Sequence, residues 1–360
     1  MTHRVPEVSR MARVFAGLGL AAVVMYAVVS SAAMAPSHLD KAKNPSGCAG
    51  CHKGHGQRGT AMLSSSKEDI CFSCHGLSGA GRRAFTKYDM SSVFNKRYHH
   101  PVVETAMYHH EGEVLPENSP SAPRHVACQD CHNVHETEPG DTMSAMRGVE
   151  GYRRGVSTER VADAEYEVCY RCHADSANLP MTSRDVSLQF DPANASFHPI
   201  ESVGRNKLMQ SLTEQLNVSS LITCSDCHGN DDPTGPKGPH GSNYEFMLKD
   251  QYVRVETAEL PQTYALCYGC HSRQSILGNQ SFQKHKEHVV YQHTPCSACH
   301  NAHGSITNPN LIDFDKNFVG LGAASYSPGS GGKPMCYLTC HVGGRDFVHD
   351  NAFYQSKRWP

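Results

Sequence analysis

Every cysteine in this chain belongs to one short arrangement, and that arrangement recurs eight times. Seven copies read C-x-x-C-H: Cys48/Cys51/His52, Cys71/Cys74/His75, Cys128/Cys131/His132, Cys169/Cys172/His173, Cys224/Cys227/His228, Cys267/Cys270/His271 and Cys296/Cys299/His300. The eighth, Cys336/Cys340/His341, has one extra spacer residue. We number these units 1 to 8 along the chain. All 16 cysteines are consumed, so any fold must first satisfy this pattern.

C-x-x-C-H is the attachment signature of c-type haem. Two thiols about one helical turn apart reach the two vinyl groups on one porphyrin edge, and the next residue aims its imidazole at the iron. Zinc ribbons use C-x-x-C pairs but need no His after each pair. A disulfide framework gives no reason for eight following histidines. A thioredoxin-like C-x-x-C occurs once per domain. The expectation is eight covalently attached c-type haems, with proximal iron ligands His52, His75, His132, His173, His228, His271, His300 and His341. Unit 8 is counted because its His and its place in the repeat fit the other seven.

Composition agrees. Only 39% of the 360 residues are hydrophobic and there is a single Trp, below the usual ~45–50% apolar content. A core made of side chains alone would be thin, and apolar porphyrin faces would complete it. Charged residues are 19% and the net charge is −2, which argues against disorder and removes the basic footprint of a nucleic-acid binder. The expected fold is mostly irregular with short α-helices, organised around haem. One longer helix is expected near 205–216, where Leu208, Leu212 and Leu216 recur every four residues.

The units alternate in type. Units 1, 3, 5 and 7 have small or polar spacers (Ala49-Gly50, Gln129-Asp130, Ser225-Asp226, Ser297-Ala298). Units 2, 4, 6 and 8 have an apolar residue before them and an aromatic first spacer (Ile70/Phe72, Val168/Tyr170, Leu266/Tyr268, Met335/Tyr337). This is a fourfold repeat of a two-haem module. The expected boundaries are 34–96, 97–195, 196–281 and 282–360, after a signal peptide at 1–33. That leader has Arg4, Arg10 and Arg13, an apolar run from Val14 to Val29, and small residues Ser31-Ala32-Ala33 for cleavage.

The repeat also picks out distal ligands. His55, His135 and His303 each follow an odd-numbered unit at the same offset, and His240 follows unit 5 after a Pro/Gly-rich insertion. His240-Gly241-Ser242 matches His303-Gly304-Ser305. A second class precedes each module: His38, His100 (before Pro101-Val102), His198 (before Pro199-Ile200) and His288 (before Val289-Val290). His285 and His293 rival His288, and His349 rivals His38. The methionines show no repeat phase. Asp231 and Asp232 read as a solvated loop rather than a calcium site.

These paired units, with Cys296-Ser-Ala-Cys-His-Asn-Ala-His-Gly-Ser and the Gly238-Pro239-His240-Gly241-Ser242 loop, resemble the doubled-CxxCH multihaem cytochromes c abundant in metal-reducing bacteria. The resemblance spans 38 to about 349 and suggests an octahaem member. It implies a wire of bis-His haems carrying electrons in the periplasm or outside the cell, with no catalytic residue and no stable membrane span. Implied partners are redox proteins of the periplasm or outer membrane, extracellular metal acceptors, and further copies in an oligomer or filament. In a filament, His38 or His349 could ligate a neighbour's haem. The alternative is a multihaem reductase or oxidase of a small nitrogen or sulfur compound. That chemistry needs an open iron, often marked by Lys replacing the proximal His, and all eight proximal positions here are His.

Overall fold

The computed structural model describes residues 37–54, 62–76, 89–103, 126–138, 140–156, 160–174, 179, 183–319, 325–327, 335–338 and 354–355. The expected signal peptide at 1–33, His55, Cys340, His341 and His349 lie outside them.

The architecture is mostly irregular, with short helices and small sheets. The helices form where the cysteines are. Units 2 and 4 end nine-residue α-helices, Lys67–His75 and Glu165–His173. The first is capped by Ser66, whose side chain accepts from the Asp69 amide, and carries Glu68 and Asp69 in its first turn. Unit 6 sits on the shorter helix Ala265–Tyr268. Units 1, 3, 5 and 7 form single turns: Gly47–Gly50, Cys128–Cys131, Cys224–Asp226 and Cys296–Ala298. In each, the His amide donates to the carbonyl of the first Cys at 2.9–3.0 Å. That bond closes the turn and sets both sulfurs and the imidazole on one side.

The second cysteines of three odd units are anchored alike. Cys51, Cys227 and Cys299 donate their amides to the carbonyls of Cys48, Cys224 and Cys296 at 3.2, 3.2 and 3.3 Å. Their own carbonyls accept from Ser64 at 3.0 Å, Lys249 at 2.9 Å and Asp313 at 3.0 Å. A returning segment thus pins each turn from outside.

Unit 8 departs from this pattern. Cys336 lies in the strand Met335–Leu338, which pairs with Ser325–Ser327 on one side and Tyr354–Gln355 on the other. The other two members of the unit, Cys340 and His341, lie outside the described residues.

The expected helix at 205–216 does not form. Leu208 is exposed, and Leu212 bridges His271 in an antiparallel pair. Thr213 donates to the Cys270 carbonyl and Ser272 to the Ser211 carbonyl. The segment is spent on holding unit 6, which outweighs a leucine periodicity that has no apolar surface to cover.

Two-residue strands join segments distant in sequence. Tyr98–His99 pairs with Gly241–Ser242, and Ser196–Phe197 pairs with Gly304–Ser305. Each pairing continues into the next residues: His100 donates to the His240 carbonyl at 3.3 Å, and His198 to the His303 carbonyl at 2.9 Å. Ser37 donates to the Thr137 carbonyl at 3.0 Å, a similar link beside His38 and His135. We call each of these three links a clasp. The glycines are required by close approach. A Cβ on Gly241 would lie 2.2 Å from the Val93 carbonyl oxygen, and one on Gly304 2.0 Å from that of Gln189. The following serines lock the same strands: Ser242 Oγ donates to the Leu248 carbonyl at 2.6 Å and Ser305 Oγ to that of Ile312 at 2.7 Å.

Side-chain cores are small, as the composition requires. One holds Met146, Val149, Ala162 and Val168, the other Tyr170, Ala174, Phe190 and Ile200. Between them lies fully buried Glu167. It accepts from Arg153 Nε at 2.7 Å, Arg160 Nη1 at 3.0 Å and the Asp163 amide at 2.8 Å. A carboxylate this deep needs such a set of donors.

Candidate metal centres

The seven attachment histidines among the described residues each face one other histidine. The ring centres are 6.0 Å apart for His38 and His75, 6.3 Å for His52 and His135, and 6.4 Å for His100 and His173. They are 6.0 Å apart for His132 and His240, 6.3 Å for His198 and His271, 6.2 Å for His228 and His303, and 6.3 Å for His285 and His300. Two imidazoles bound through Nε2 to opposite sides of one metal, at about 2.0 Å each with ring centres about 1.1 Å further out, stand roughly 6.2 Å apart. The histidines present therefore fit a bis-His haem iron at units 1 to 7.

Nδ1 bonding orients these rings. His132 Nδ1 pairs with the Ala145 carbonyl at 3.0 Å, His228 with Phe246 at 2.8 Å and His300 with Asn310 at 2.9 Å. His100 Nδ1 meets the Pro239 carbonyl at 2.7 Å, and His198 Nδ1 that of Ala302. His303 Nδ1 meets Gln189 Oε1 at 2.7 Å, and His271 Nδ1 meets Ser211 Oγ at 3.3 Å. An Nδ1–H that donates to oxygen leaves Nε2 as the lone-pair donor and fixes the ring plane.

Backbone strain aims two of those carbonyls. Phe246 and Met247 have φ of 61° and 52°, and Asn310 and Leu311 have φ of 58° and 59°. Non-glycine residues rarely occupy this left-handed region. Here the double turn directs the Phe246 and Asn310 carbonyls at His228 and His300, and the next residues, Leu248 and Ile312, bridge those same histidines. Met62, with φ of 53°, precedes Leu63, which bridges His52. Nothing in the residue types marks these turns, and sequence reasoning missed them.

Electrostatics favours neutral imidazoles. Burial first, then the facing imidazole, holds His173, His271, His285 and His303 down at about 4. Burial, then His132 and His100, takes His240 to about 3. Burial also lowers His100, His198 and His38. The neutral ring is the form that ligates a metal.

The cysteines line up in chain order. The thiols stand where thioether sulfurs would be. The largest influence on the thiols of Cys71, Cys169 and Cys267 comes from Cys128, Cys224 and Cys296, and the Cys169 and Cys224 sulfurs lie within 4.8 Å of one another. Each of these pairs joins an even-numbered unit to the next. Odd-to-even neighbours show as electrostatic influence, secondary to burial: Cys71 and Cys74 on Cys51, Cys172 on Cys131, Cys270 and Cys267 on Cys227. Cys299 holds the corresponding place in unit 7 and is half-buried like them. Its neighbour in the chain order would be unit 8, where Cys336 is on a strand and Cys340 lies outside the described residues.

Glu165, buried, lies with a carboxylate oxygen within 4.8 Å of both the Cys169 and Cys224 sulfurs. It accepts from the Ser225 amide at 2.6 Å and from Ser225 Oγ at 2.8 Å. This trio has the donor types of a metal site, but both sulfurs belong to attachment units, so the carboxylate is a fixed charge between two of them.

Of the second-class histidines, His38, His100 and His198 face the attachment His of units 2, 4 and 6. His288 does not face a described attachment histidine. It is the second residue of the π-type turn Glu287–Tyr291, its Nδ1 meets the Lys284 carbonyl at 2.9 Å, and its ring stacks on Phe282 at 6.4 Å. The place opposite His300 is taken by His285.

Two family models match the chain. The doubled CXXCH motif model matches residues 41–78. The model described as outer membrane cytochrome MtrC/MtrF-like, domains II/IV, matches residues 159–310. The chain belongs to the multihaem c-type cytochromes. The cytochrome matches no curated protein and no solved structure. Covalently bound c-type haem and electron transport follow from that membership. Among the described residues, no helix of this cytochrome is long and apolar enough to cross a membrane.

Proposed function

We propose that this cytochrome is a non-enzymatic octahaem electron carrier, exported to the periplasm or cell surface, in which bis-His haems form one unbranched line. The observation that carries it is the set of seven imidazole pairs at 6.0–6.4 Å. When bound, a haem with two axial imidazoles is a low-spin, low-potential one-electron centre without an open position for substrate.

The residues divide that work. The sixteen cysteines fix each haem edge, and the electrostatic neighbours among their thiols, unit 1 with 2 and onward to 7, support a line that follows the chain. Odd units draw their distal ligand from the module that follows: His135 for unit 1, His240 for unit 3, His303 for unit 5. Even units draw it from the start of their own module: His38 for unit 2, His100 for unit 4, His198 for unit 6. The clasps hold both ligands of a module side by side. Iron thereby joins the four modules, and the thin side-chain core suffices.

The partners that suit this reading are redox proteins at the outer membrane and extracellular metal acceptors. The test is electron paramagnetic resonance of the oxidised protein together with its intact mass. Low-spin ferric signals alone and a mass of eight haems on the chain cut after residue 33 support it. A substantial high-spin signal with turnover of nitrite or hydroxylamine rejects the carrier reading. A mass of seven haems removes Cys336/Cys340 from the count.

A further inference from the structure

His240 and His303 reach their places by different routes. His303 stands three residues after His300, whereas the insertion 229–239 puts His240 twelve residues after His228. Their rings are also held differently. His303 Nδ1 meets Gln189 Oε1 at 2.7 Å. His240 Nδ1 is buried without a well-formed hydrogen bond, the Lys237 backbone being the weakest influence on it. The direction of this ring therefore depends on how the insertion is held.

One ammonium holds it. Lys96 Nζ donates to Asn230 Oδ1 and to Asp231 Oδ1. The two charged side chains are each only 15% exposed. The other Asp231 oxygen accepts from Asn243 Nδ2 at 3.0 Å, so segments before and after His240 meet at this point. Asn230 Nδ2 donates to the Pro236 carbonyl at 2.9 Å and folds the insertion back on itself. Burial alone would raise the Asp231 carboxyl, yet Lys96 and Asn243 take it below the usual carboxylate range. Lys96 also belongs to the wall behind His240. Its amide donates to the Val93 carbonyl at 3.1 Å and its carbonyl meets His99 Nδ1 at 2.6 Å. Phe94, two residues earlier, stands edge-on to the His240 ring at 5.9 Å.

We infer that Lys96 is a positioning residue for unit 3: its ammonium, set among the side-chain oxygens of Asn230 and Asp231, holds the insertion so that His240 stays opposite His132. The inference rests on the bis-His reading above. The clasp at Ser196–Phe197 supplies the contrast. It receives His303 without an insertion, and Asn194 stands two residues before Ser196 as Lys96 stands two before Tyr98. Asn194 donates its side-chain amide to the Leu188 and Gln189 carbonyls of its own segment, at 2.8 and 2.9 Å. The ammonium that reaches across to a distant loop accompanies the insertion.

The experiment uses the full-length holoprotein and carbon monoxide, which binds ferrous haem once an axial ligand leaves. Lys96→Met removes the charge and keeps a long side chain, and Asp231→Asn removes the opposite charge. Each should let one haem per molecule bind carbon monoxide at least ~10-fold faster than wild type, because a shielded ion pair that loses one partner is strongly weakened. The double variant K96M/D231N should be no worse than either single one. C128S/C131S should remove the new site, and H240A, which opens unit 3 outright, should gain nothing further from K96M. Where K96M fails to fold, D231N carries the test. An ion pair that merely stabilises the fold would lower the melting temperature and leave carbon monoxide binding as in wild type; that result overturns the inference, as does a new site that survives C128S/C131S. An H240A protein without a new site would instead defeat the pairing of His240 with unit 3, and uptake by several haems of wild type would defeat the bis-His reading itself.

Discussion

Glu165 is buried and lies within 4.8 Å of the sulfurs of both unit 4 and unit 5. Among the described residues no cation pairs with it, and its oxygens are held by the Ser225 amide and hydroxyl. A fixed negative charge stabilises the oxidised, more positive state of a nearby haem, so neutralising it raises the potential. At an effective dielectric constant of about 20 and a charge separation of about 8–10 Å, the interaction is about 1.7–2 kcal/mol. For one electron that is about 70–90 mV. Glu165→Gln keeps the acceptor for the Ser225 amide and supplies a donor for its hydroxyl, so the local fold survives. Spectroelectrochemical titration should show two components moving up by tens of millivolts while the others stay. Glu167→Gln is the control. Its carboxylate is already matched by Arg153 and Arg160, so its loss weakens the fold more than it shifts two selected haems. If E165Q leaves every component in place, or moves all of them equally, Glu165 is not the charge that sets this junction.

Gly241→Ala places a methyl 2.2 Å from the Val93 carbonyl, where only backbone movement can relieve it. Thermal unfolding should fall by several degrees, and the unit 3 haem should become partly high-spin as His240 is displaced; an unchanged melting curve and spectrum would show that the clasp is dispensable. The depressed histidines set an acid limit. Burial keeps His173, His271 and His303 neutral to about 4 and His240 to about 3, whereas an unfolded imidazole protonates near ~6.5. Their contribution to stability is thus fully present above about 6.5 and is lost as pH falls from there through the folded values. The low-spin visible spectrum should persist to about pH 5 and collapse below about 4; a transition centred near 6.5 would contradict it. In an unbranched line, C169S/C172S should cut electron transfer between the chain ends in flash-reduction kinetics, and unaltered end-to-end rates would require a bypass around unit 4.

The attachment units were legible because their chemistry is local. Two thiols and an imidazole must fall within one turn, so Cys224-Ser-Asp-Cys-His announces both its structure and its cofactor. The repeat phase set His240 and His303 together despite the insertion before His240, and each faces an attachment histidine in the structure. The pairing was not legible. His132 meets His240 only because Tyr98–His99 pairs with Gly241–Ser242, and two-residue strands leave no alternation to read. The leucines at 208, 212 and 216 misled for a related reason. Periodicity predicts a helix when an apolar face will be covered by protein, but here the buried partners are attachment segments held by backbone hydrogen bonds. The same reasoning separates His285 from His288. Repeat phase favours His288, because internal modules dominate the comparison. His285 faces His300 from a loop that the Asn279 side chain closes by accepting from the Lys286 amide, and neither contact leaves a trace in the repeat phase.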